Sequence, residues 1–454
     1  MSKVMTYPAH VWAIAVLGLP LIGGHLAQFA IGLTDTIMLG RYDVEALAAV
    51  TLAGSFYFVL FLFGGGFGLA VMPMVATSAA EEDETSIRRS TRMGLWLSLL
   101  YGMLVMPLLW WSYPILIATD QDPQVAQTAS EYLRVAGWGL FPALVVMVLK
   151  SYLAALERTQ IVLWITVAAA VINGLTNYAL IFGNWGAPEL GVMGAAIASV
   201  VTQTVSLVAV IFYAVKVLPE HSLFQRFWRP DWEMFISVLK LGVPIGLTLL
   251  AEASLFATSA FMMGWIGQVP LAAHGIALNL ASATFMVHLG LSNAATIRAG
   301  NALGRKDRAH LEKGAIAVTG MSLVVSVMTI ILFLTCAEPL ISVFVESDDP
   351  QRPQILAIGA GLLAMAALFQ LVDGAQVIAL GLLRGLQDAK VPMVMAGLSY
   401  WVVGIPASYY FGFIRGMDGI GVWLGLVLGL ASAAVLLMTR FWTRSVKAVG
   451  VPAE

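Results

Sequence analysis

The chain has 454 residues, 59% of them hydrophobic and only 11% charged. Soluble domains carry about a quarter of their residues as charges, and so few could not cover a soluble surface of this size, so the composition implies an all-α polytopic membrane protein. A net charge of −2 offers no electrostatic footing for nucleic acid, and the single cysteine, Cys336, cannot close an internal disulfide and reads as a small hydrophobe.

The N-terminal residues show no cleavable signal, because the apolar run behind them is too long and no small-residue cleavage site closes it. A helix needs about 20 apolar residues to cross the hydrocarbon. Twelve stretches meet this: 11–39, 46–78, 92–113, 125–155, 161–183, 191–217, 234–265, 269–303, 314–336, 354–384, 391–413 and 419–441. The connections are rich in turn formers, such as Asp120-Gln121-Asp122-Pro123 and Gly186-Ala187-Pro188. The longest polar connection runs from Pro219 to Trp232, at the middle of the chain. It divides the chain into an N-terminal six-helix bundle (1–218), a cytoplasmic linker (219–233) and a C-terminal six-helix bundle (234–454).

With twelve spans, all but Arg41, Arg134, Arg352 and Arg415 of the 24 Lys and Arg fall on one side. Lys3 is among that majority. By the positive-inside rule this is the cytoplasm, so both termini are expected there and the chain is expected in the inner (plasma) membrane. A miscounted span would scramble the asymmetry.

The two halves repeat at an offset of 224 residues. Gly18 and Pro20 match Gly242 and Pro244; Met38 and Gly40 match Met262 and Gly264. Leu47-Ala48-Ala49 matches Leu271-Ala272-Ala273, and Asp83 matches Asp307. With six spans on each side of the linker, the halves share one sidedness, so the repeat is parallel, about an axis along the membrane normal. Two such bundles with a cavity between or within them form the usual plan of a transporter. Pro20 and Pro244 lie inside their helices and will kink them, which makes each a candidate hinge.

Acids inside these spans are costly, by about 2.5–3.5 kcal/mol on insertion scales, and are functional candidates by default. Asp35 lies near the end of the first run, with His25 and Gln28 further in. In the repeat, Asp35 aligns with Ser259, and Glu252 aligns with Gln28. Each half therefore carries an acid in its first helix, two turns apart in register. Glu252 and Asp373 lie deep in apolar spans, each with its nearest Lys or Arg about three turns away in sequence. Two carboxylates brought together in low dielectric cannot both ionise without a cation. Either one holds a proton or the pair takes Na⁺ through hard oxygen ligands. Asn173 and Asn177 are spaced i, i+4 and share a helix face. His25, His274 and His288 have no second ligand at metal spacing, and read as packing or pore-lining residues. The run Gly64-Gly65-Gly66 is followed by no lysine, so it marks close packing or a flexible point.

Four segments together carry a resemblance: GLTDTIMLGRYDVEALAAV at Gly32–Val50, AEASLFATSAFMMGWIGQVPLAAHGIALN at Ala251–Asn279, IRAGNALGRKD at Ile297–Asp307, and FQLVDGAQVIALGLLRGLQDAKVP at Phe369–Pro392. In order and spacing they resemble the multidrug and toxic compound extrusion (MATE) family, NorM-like branch, over nearly the whole chain. The resemblance implies two six-helix bundles around a central cleft. It also implies export of small organic cations or amphipathic drugs, driven by inward Na⁺ or H⁺, with no other cofactor. By resemblance Asp35, Asn173 and Asn177 form a cation-coupling cluster in the N-terminal lobe, with Ser199 as a weaker member. Glu252 and Asp373 form a second in the C-terminal lobe, which would be the metal site if the ion is Na⁺. Gln28 and Phe369 are expected near the substrate cleft. Relatives often have Tyr where this chain has Phe369, which leaves Na⁺ against H⁺ open. The chain is read as a monomer in the lipid bilayer. The alternative is a lipid-linked oligosaccharide flippase of the same superfamily, which would need basic residues in its cavity to hold phosphates. A membrane enzyme would need a nucleophile with a base, or a metal cluster, and the sequence offers neither.

Overall fold

A computed structural model describes residues 5–450. Lys3 of the orientation argument lies outside the described residues. Twelve helices among the described residues are long and apolar enough to cross a membrane. In chain order they are α1 (Tyr7–Tyr42), α2 (Glu45–Ala80), α3 (Glu84–Trp110), α4 (Pro123–Ala155), α5 (Thr159–Phe182) and α6 (Val192–Val217). The second half has α7 (Trp232–Ile266), α8 (Gln268–Gly304), α9 (Arg308–Thr335), α10 (Arg352–Gly385), α11 (Lys390–Ile414) and α12 (Asp418–Ala448). The chain is thus a multi-pass, all-α membrane protein.

Several helices start earlier than apolar content suggests, because their starts are set by caps. The Asp83 carboxylate accepts from the Ser86 N–H at 3.0 Å and so begins α3, placing Arg88, Arg89 and Arg92 in its first turns. Asp307 accepts from the His310 N–H at 2.9 Å and begins α9 in the same way. Asp83 and Asp307 are matched in the repeat, so their match reflects one cap used twice. Each such cap contributes about 1 kcal/mol. The Asp83 carboxyl is held below its ordinary range, first by the Ser86 hydroxyl and then by the Ser86 backbone N–H.

Proline shapes the later spans. In α11 the stretch Ser399–Gly404 winds as a π-helix just before Pro406. Proline lacks the N–H that an α-helix needs and its ring crowds the preceding turn, and a π-turn is one way a helix absorbs such an insertion. Pro20 lies inside α1 and Pro244 inside α7.

The helices group into two compact units. One is Gly23–Gly246; the other joins Met1–Ile22 to Leu247–Glu454. These boundaries differ from the division expected at the linker. The first part of α1 packs with the second-half helices, and the first part of α7 packs with the first-half helices. The chain crosses from one unit to the other inside a helix, two residues beyond Pro20 and two beyond Pro244.

Matched glycines make both crossings possible. In the first unit, Gly66 of α2 meets α7 so closely that a Cβ there would lie 2.6 Å from the Gly246 nitrogen. In the second, Gly290 of α8 meets α1, and a Cβ there would lie 2.7 Å from the Ile22 nitrogen. Gly66 and Gly290 differ by the repeat offset, as do Ile22 and Gly246. Of the two readings for the glycine run, close packing is therefore what Gly66 provides.

The connection between α6 and α7 is fastened to the Gly23–Gly246 unit. Arg92 donates to the Leu223 carbonyl at 2.6 Å and to Ser222 at 2.9 Å, and the Trp96 indole donates to Phe227 at 2.9 Å. Arg89 pairs with Asp231 and, at 3.0 Å, with Glu233. Buried His221 hydrogen-bonds the fully buried Tyr152 hydroxyl. The segment is thus a strap on α3 and α4, while Trp228 and Trp232 are exposed.

Candidate functional site

In the Gly23–Gly246 unit, α1 presents Asp35 to α5. The Asn177 side-chain amide donates to the Asp35 carboxylate and, at 3.3 Å, to the Asn173 carbonyl oxygen. Both asparagines are buried, as their shared helical face requires, whereas Asp35 is half-buried. The Asn177 Oδ1 has no hydrogen-bond partner, so the cluster keeps acceptor capacity beyond what the protein uses. Tyr132 of α4 lies close enough to feel the Asp35 charge, and Ser199 of α6 is beside it. Ser199 thus sits next to the cluster through Tyr132, a residue that sequence reasoning did not select.

In the second unit, Glu252 of α7 and Asp373 of α10 lie close enough for their charges to interact. Asp373 is 2% exposed and its Oδ1 has no hydrogen-bond partner. An orphaned buried carboxylate oxygen costs about 1–3 kcal/mol or more, unless it carries a proton or meets a cation. Gln376 donates to the Tyr400 hydroxyl at 2.7 Å, while its own Oε1 is unpartnered. Tyr400, fully buried, lies within electrostatic reach of Glu252, Asp373 and Arg384. It sits in the π-helical turn of α11, a kind of distortion that recurs at functional sites. Sequence reasoning missed Tyr400 and Gln376; the available signal was a Gln three residues from the acid and a Tyr shortly before a proline.

Two expectations change here. Arg384, three turns from Asp373 along α10, is 6% exposed and faces Glu252, so the acid pair has a buried cation nearby. Phe369 is 2% exposed, with its ring packed between Phe256 (5.9 Å between centroids) and Trp423 (5.6 Å). It belongs to the interior of its unit and offers no open face to a substrate. Gln28 is exposed on α1.

His274 and His288 are buried and behave as packing residues. His274 accepts from the Trp423 indole at 3.0 Å, and His288 bonds Ser322 at 2.9 Å. No group of three or more His, Cys, Asp or Glu among the described residues could hold a metal ion. A cation at the second cluster would therefore rest on two carboxylates and neutral oxygens. The Gln376 and Gln370 Oε1 atoms and the Asp373 Oδ1 are unpartnered and Phe369 brings no hydroxyl, so a hard cation held there would draw on such oxygens.

The MatE family model matches residues 20–179 and 244–410. The chain belongs to the multidrug and toxic compound extrusion family. Within this MATE family it is 44% identical over 440 residues to the probable multidrug resistance protein NorM of Rhizobium meliloti, covering 96% of this chain and 94% of the relative. It is also 44% identical to that of Agrobacterium fabrum, over 95% of this chain and 94% of the relative. The MATE fold is shared with a solved outward-facing MATE transporter of the MOP superfamily, at TM-score 0.89, 19% identity and full coverage of both chains. It is shared as well with the eukaryotic MATE transporter AtDTX14, at TM-score 0.86 and 19% identity, over 98% of this chain and 99% of that one.

Proposed function

We propose that this MATE chain exports small organic cations or amphipathic drugs across the inner membrane in exchange for Na⁺ or H⁺, by alternating access, with both termini in the cytoplasm. The observation that carries the reading is the pair of polar clusters in otherwise apolar units: Asp35 with Asn177 and Asn173, and Glu252 with Asp373. Each brings carboxylate oxygens to an enclosed place where an inward-moving cation or proton would be held. The cation is cargo, bound and released in every cycle. When it binds, it neutralises the acid and removes the cost of an ionised carboxylate in low dielectric. Net export requires the ion and the drug to have different affinities for the two states.

The names of the NorM relatives support the drug substrate. The flippase alternative would draw on buried basic residues. Among the described residues Arg384 is the one buried Lys or Arg side chain, and it lies one residue from the end of its helix; the half-buried Lys150 lies five residues from the end of its own and donates to Thr166 at 2.8 Å. The clusters farther inside the spans are acidic, which favours cationic cargo.

The test is dye export from an efflux-deficient strain under separately imposed Na⁺ and pH gradients. Wild type should export under one gradient, and Glu252→Gln with Asp373→Asn should lose that dependence. Unchanged export and ion dependence in the double variant would refute the reading. Transport of a lipid-linked oligosaccharide with no dye export would favour the flippase.

A further inference from the structure

Within the unit that joins Met1–Ile22 to Leu247–Glu454, helices α1, α8 and α9 enclose an open groove of about 600 Å³. Its lining is almost wholly apolar. Along α1 the wall is Val11, Ala15, Leu19 and Ile22, a stripe at helical spacing. These residues span about 16 Å of helix at 1.5 Å per residue, close to the roughly 15 Å of hydrocarbon in one leaflet. The α9 wall includes Ile316, Gly320 and Val324, and Ile316 and Val324 are well exposed. A Cβ on Gly320 would meet nothing within 4 Å, so the groove stays open at its middle because this residue has no side chain.

Each wall ends in a polar residue at the same end. One turn before Val11, α1 carries Tyr7; one turn before Ile316, α9 carries Lys313. The two meet, with the Lys313 ammonium 5.9 Å from the Tyr7 ring centroid. Two turns beyond Leu291 of the third wall, α8 carries Arg298, which donates to His10 at 3.0 Å and to His310 at 2.9 Å. The two imidazoles lie 4.7 Å apart. The nearby carboxylates are already engaged: Asp307 caps α9, and Glu312 pairs with Arg308 at 2.8 Å. Lys313 is half-buried, belongs to none of the ion pairs among the described residues, and donates to the Met5 carbonyl at 3.5 Å. Arg305 and Lys306 stand in the adjoining connection.

We propose that this groove is a binding site for an anionic phospholipid of the leaflet nearest the N-terminus, with one acyl chain along α1 and α9 and the phosphate at Lys313. The depth of the groove matches one leaflet, and the charge at its mouth is complementary to a phosphate. A zwitterionic lipid would fill the same apolar channel, but its own cation would face Lys313. The site is separate from the acid clusters, because its walls carry no carboxylate.

The experiment is native mass spectrometry of the full chain in mild detergent, with dioleoyl-phosphatidylglycerol or dioleoyl-phosphatidylcholine added at equal concentration. Wild type should retain phosphatidylglycerol about fivefold more than phosphatidylcholine, the discrimination that one basic residue near a membrane surface supplies. Lys313→Gln should remove that preference without lowering phosphatidylcholine retention, and Lys313→Arg should keep it. Gly320→Leu, whose Cβ meets nothing within 4 Å and whose side chain would enter the channel, should lower retention of both lipids. Equal retention of the two lipids by wild type, no retention of either, or a preference unchanged in Lys313→Gln would overturn the proposal. So would a Gly320→Leu variant that retains both lipids as wild type does.

Discussion

Replacing Gly66 with alanine sets two known effects against each other. Alanine is the better helix former, by about 0.8–1.0 kcal/mol. Against this, the new Cβ would lie 2.6 Å from the Gly246 nitrogen and 2.8 Å from its Cα, with the Gly242 carbonyl closer still. Non-bonded carbon contacts are at their optimum near 3.5–4.0 Å, so α7 would have to retreat by about 1 Å. The obstacle is backbone, so no rotamer change relieves it. Overpacking of this kind costs about 1–3 kcal/mol, and a backbone obstacle belongs in the upper part of that range. The net expectation is a loss of about 1–2 kcal/mol. Gly54, in the same helix, has nothing within 4 Å of its Cβ position, so Gly54→Ala keeps only the favourable term. Thermal unfolding of both variants in one detergent at one scan rate decides the matter, with Gly66→Ala melting a few degrees below wild type. Gly66→Ala melting with or above wild type would refute the close crossing of α2 and α7. Gly290→Ala should behave as Gly66→Ala does, because its Cβ would lie 2.7 Å from the Ile22 nitrogen and 2.9 Å from its Cα.

Asn177→Leu removes the amide that donates to Asp35, a charge-assisted bond worth about 1.5–3 kcal/mol, and should weaken ion-dependent dye export; Asn173→Leu should weaken it too, because Asn173 interacts with Asp35 as well as with Asn177. The side-chain hydrogen bond from Arg89 holds the Asp231 carboxyl below its ordinary range. Its stabilisation is therefore complete above about pH 4 and is lost as pH falls through the lowered value. Because both side chains are a quarter to a third exposed, Asp231→Asn should cost no more than about 1 kcal/mol, read as faster proteolysis of the strap at neutral pH and no difference in strong acid. Burial, ahead of the neighbouring charges, holds the His221 imidazole below its usual 6.5. The strap should then be fully seated above about pH 6.5 and loosen as pH falls below it. In His221→Phe the same proteolysis should no longer vary across that range.

The spans were legible because each is a local property, a run of apolar residues of sufficient length. Asn173 and Asn177 were legible as a pair because i, i+4 spacing places both on one face, and their partner Asp35 was marked by its cost in hydrocarbon. Tyr400 and Gln376 were not, because nothing local distinguishes a tyrosine or glutamine in an apolar span until a fold brings it near an acid. Phe369 was expected near the cleft by resemblance, which carries a position in the chain without fixing what a ring there meets, and here it meets Phe256 and Trp423. The start of α3 was set too late because hydropathy measures the membrane and not the helix. The crossings inside α1 and α7 are long-range, and a linker rich in polar residues drew the boundary away from them.

Those crossings bear on which acid couples to movement. Each unit receives the later part of one helix whose earlier part packs with the other unit, and each later part carries an acid, Asp35 in α1 and Glu252 in α7. On the proposed mechanism, an ion bound at either acid would act on a segment joined covalently, through one helix, to the opposite unit. Proline removes one backbone hydrogen bond near each junction, which lowers the cost of bending there. Distance then separates the candidates. Glu252 stands eight residues beyond Pro244, about 12 Å along the axis, whereas Asp35 stands fifteen beyond Pro20, about 22 Å. A neutralised acid shifts a two-state equilibrium only by the difference in its interaction between the states, and a nearer junction transmits more of a local displacement. On the proposed mechanism, Pro244→Ala should therefore impair ion-dependent export more than Pro20→Ala does, both measured at matched expression. The reverse order would assign the coupling role to Asp35.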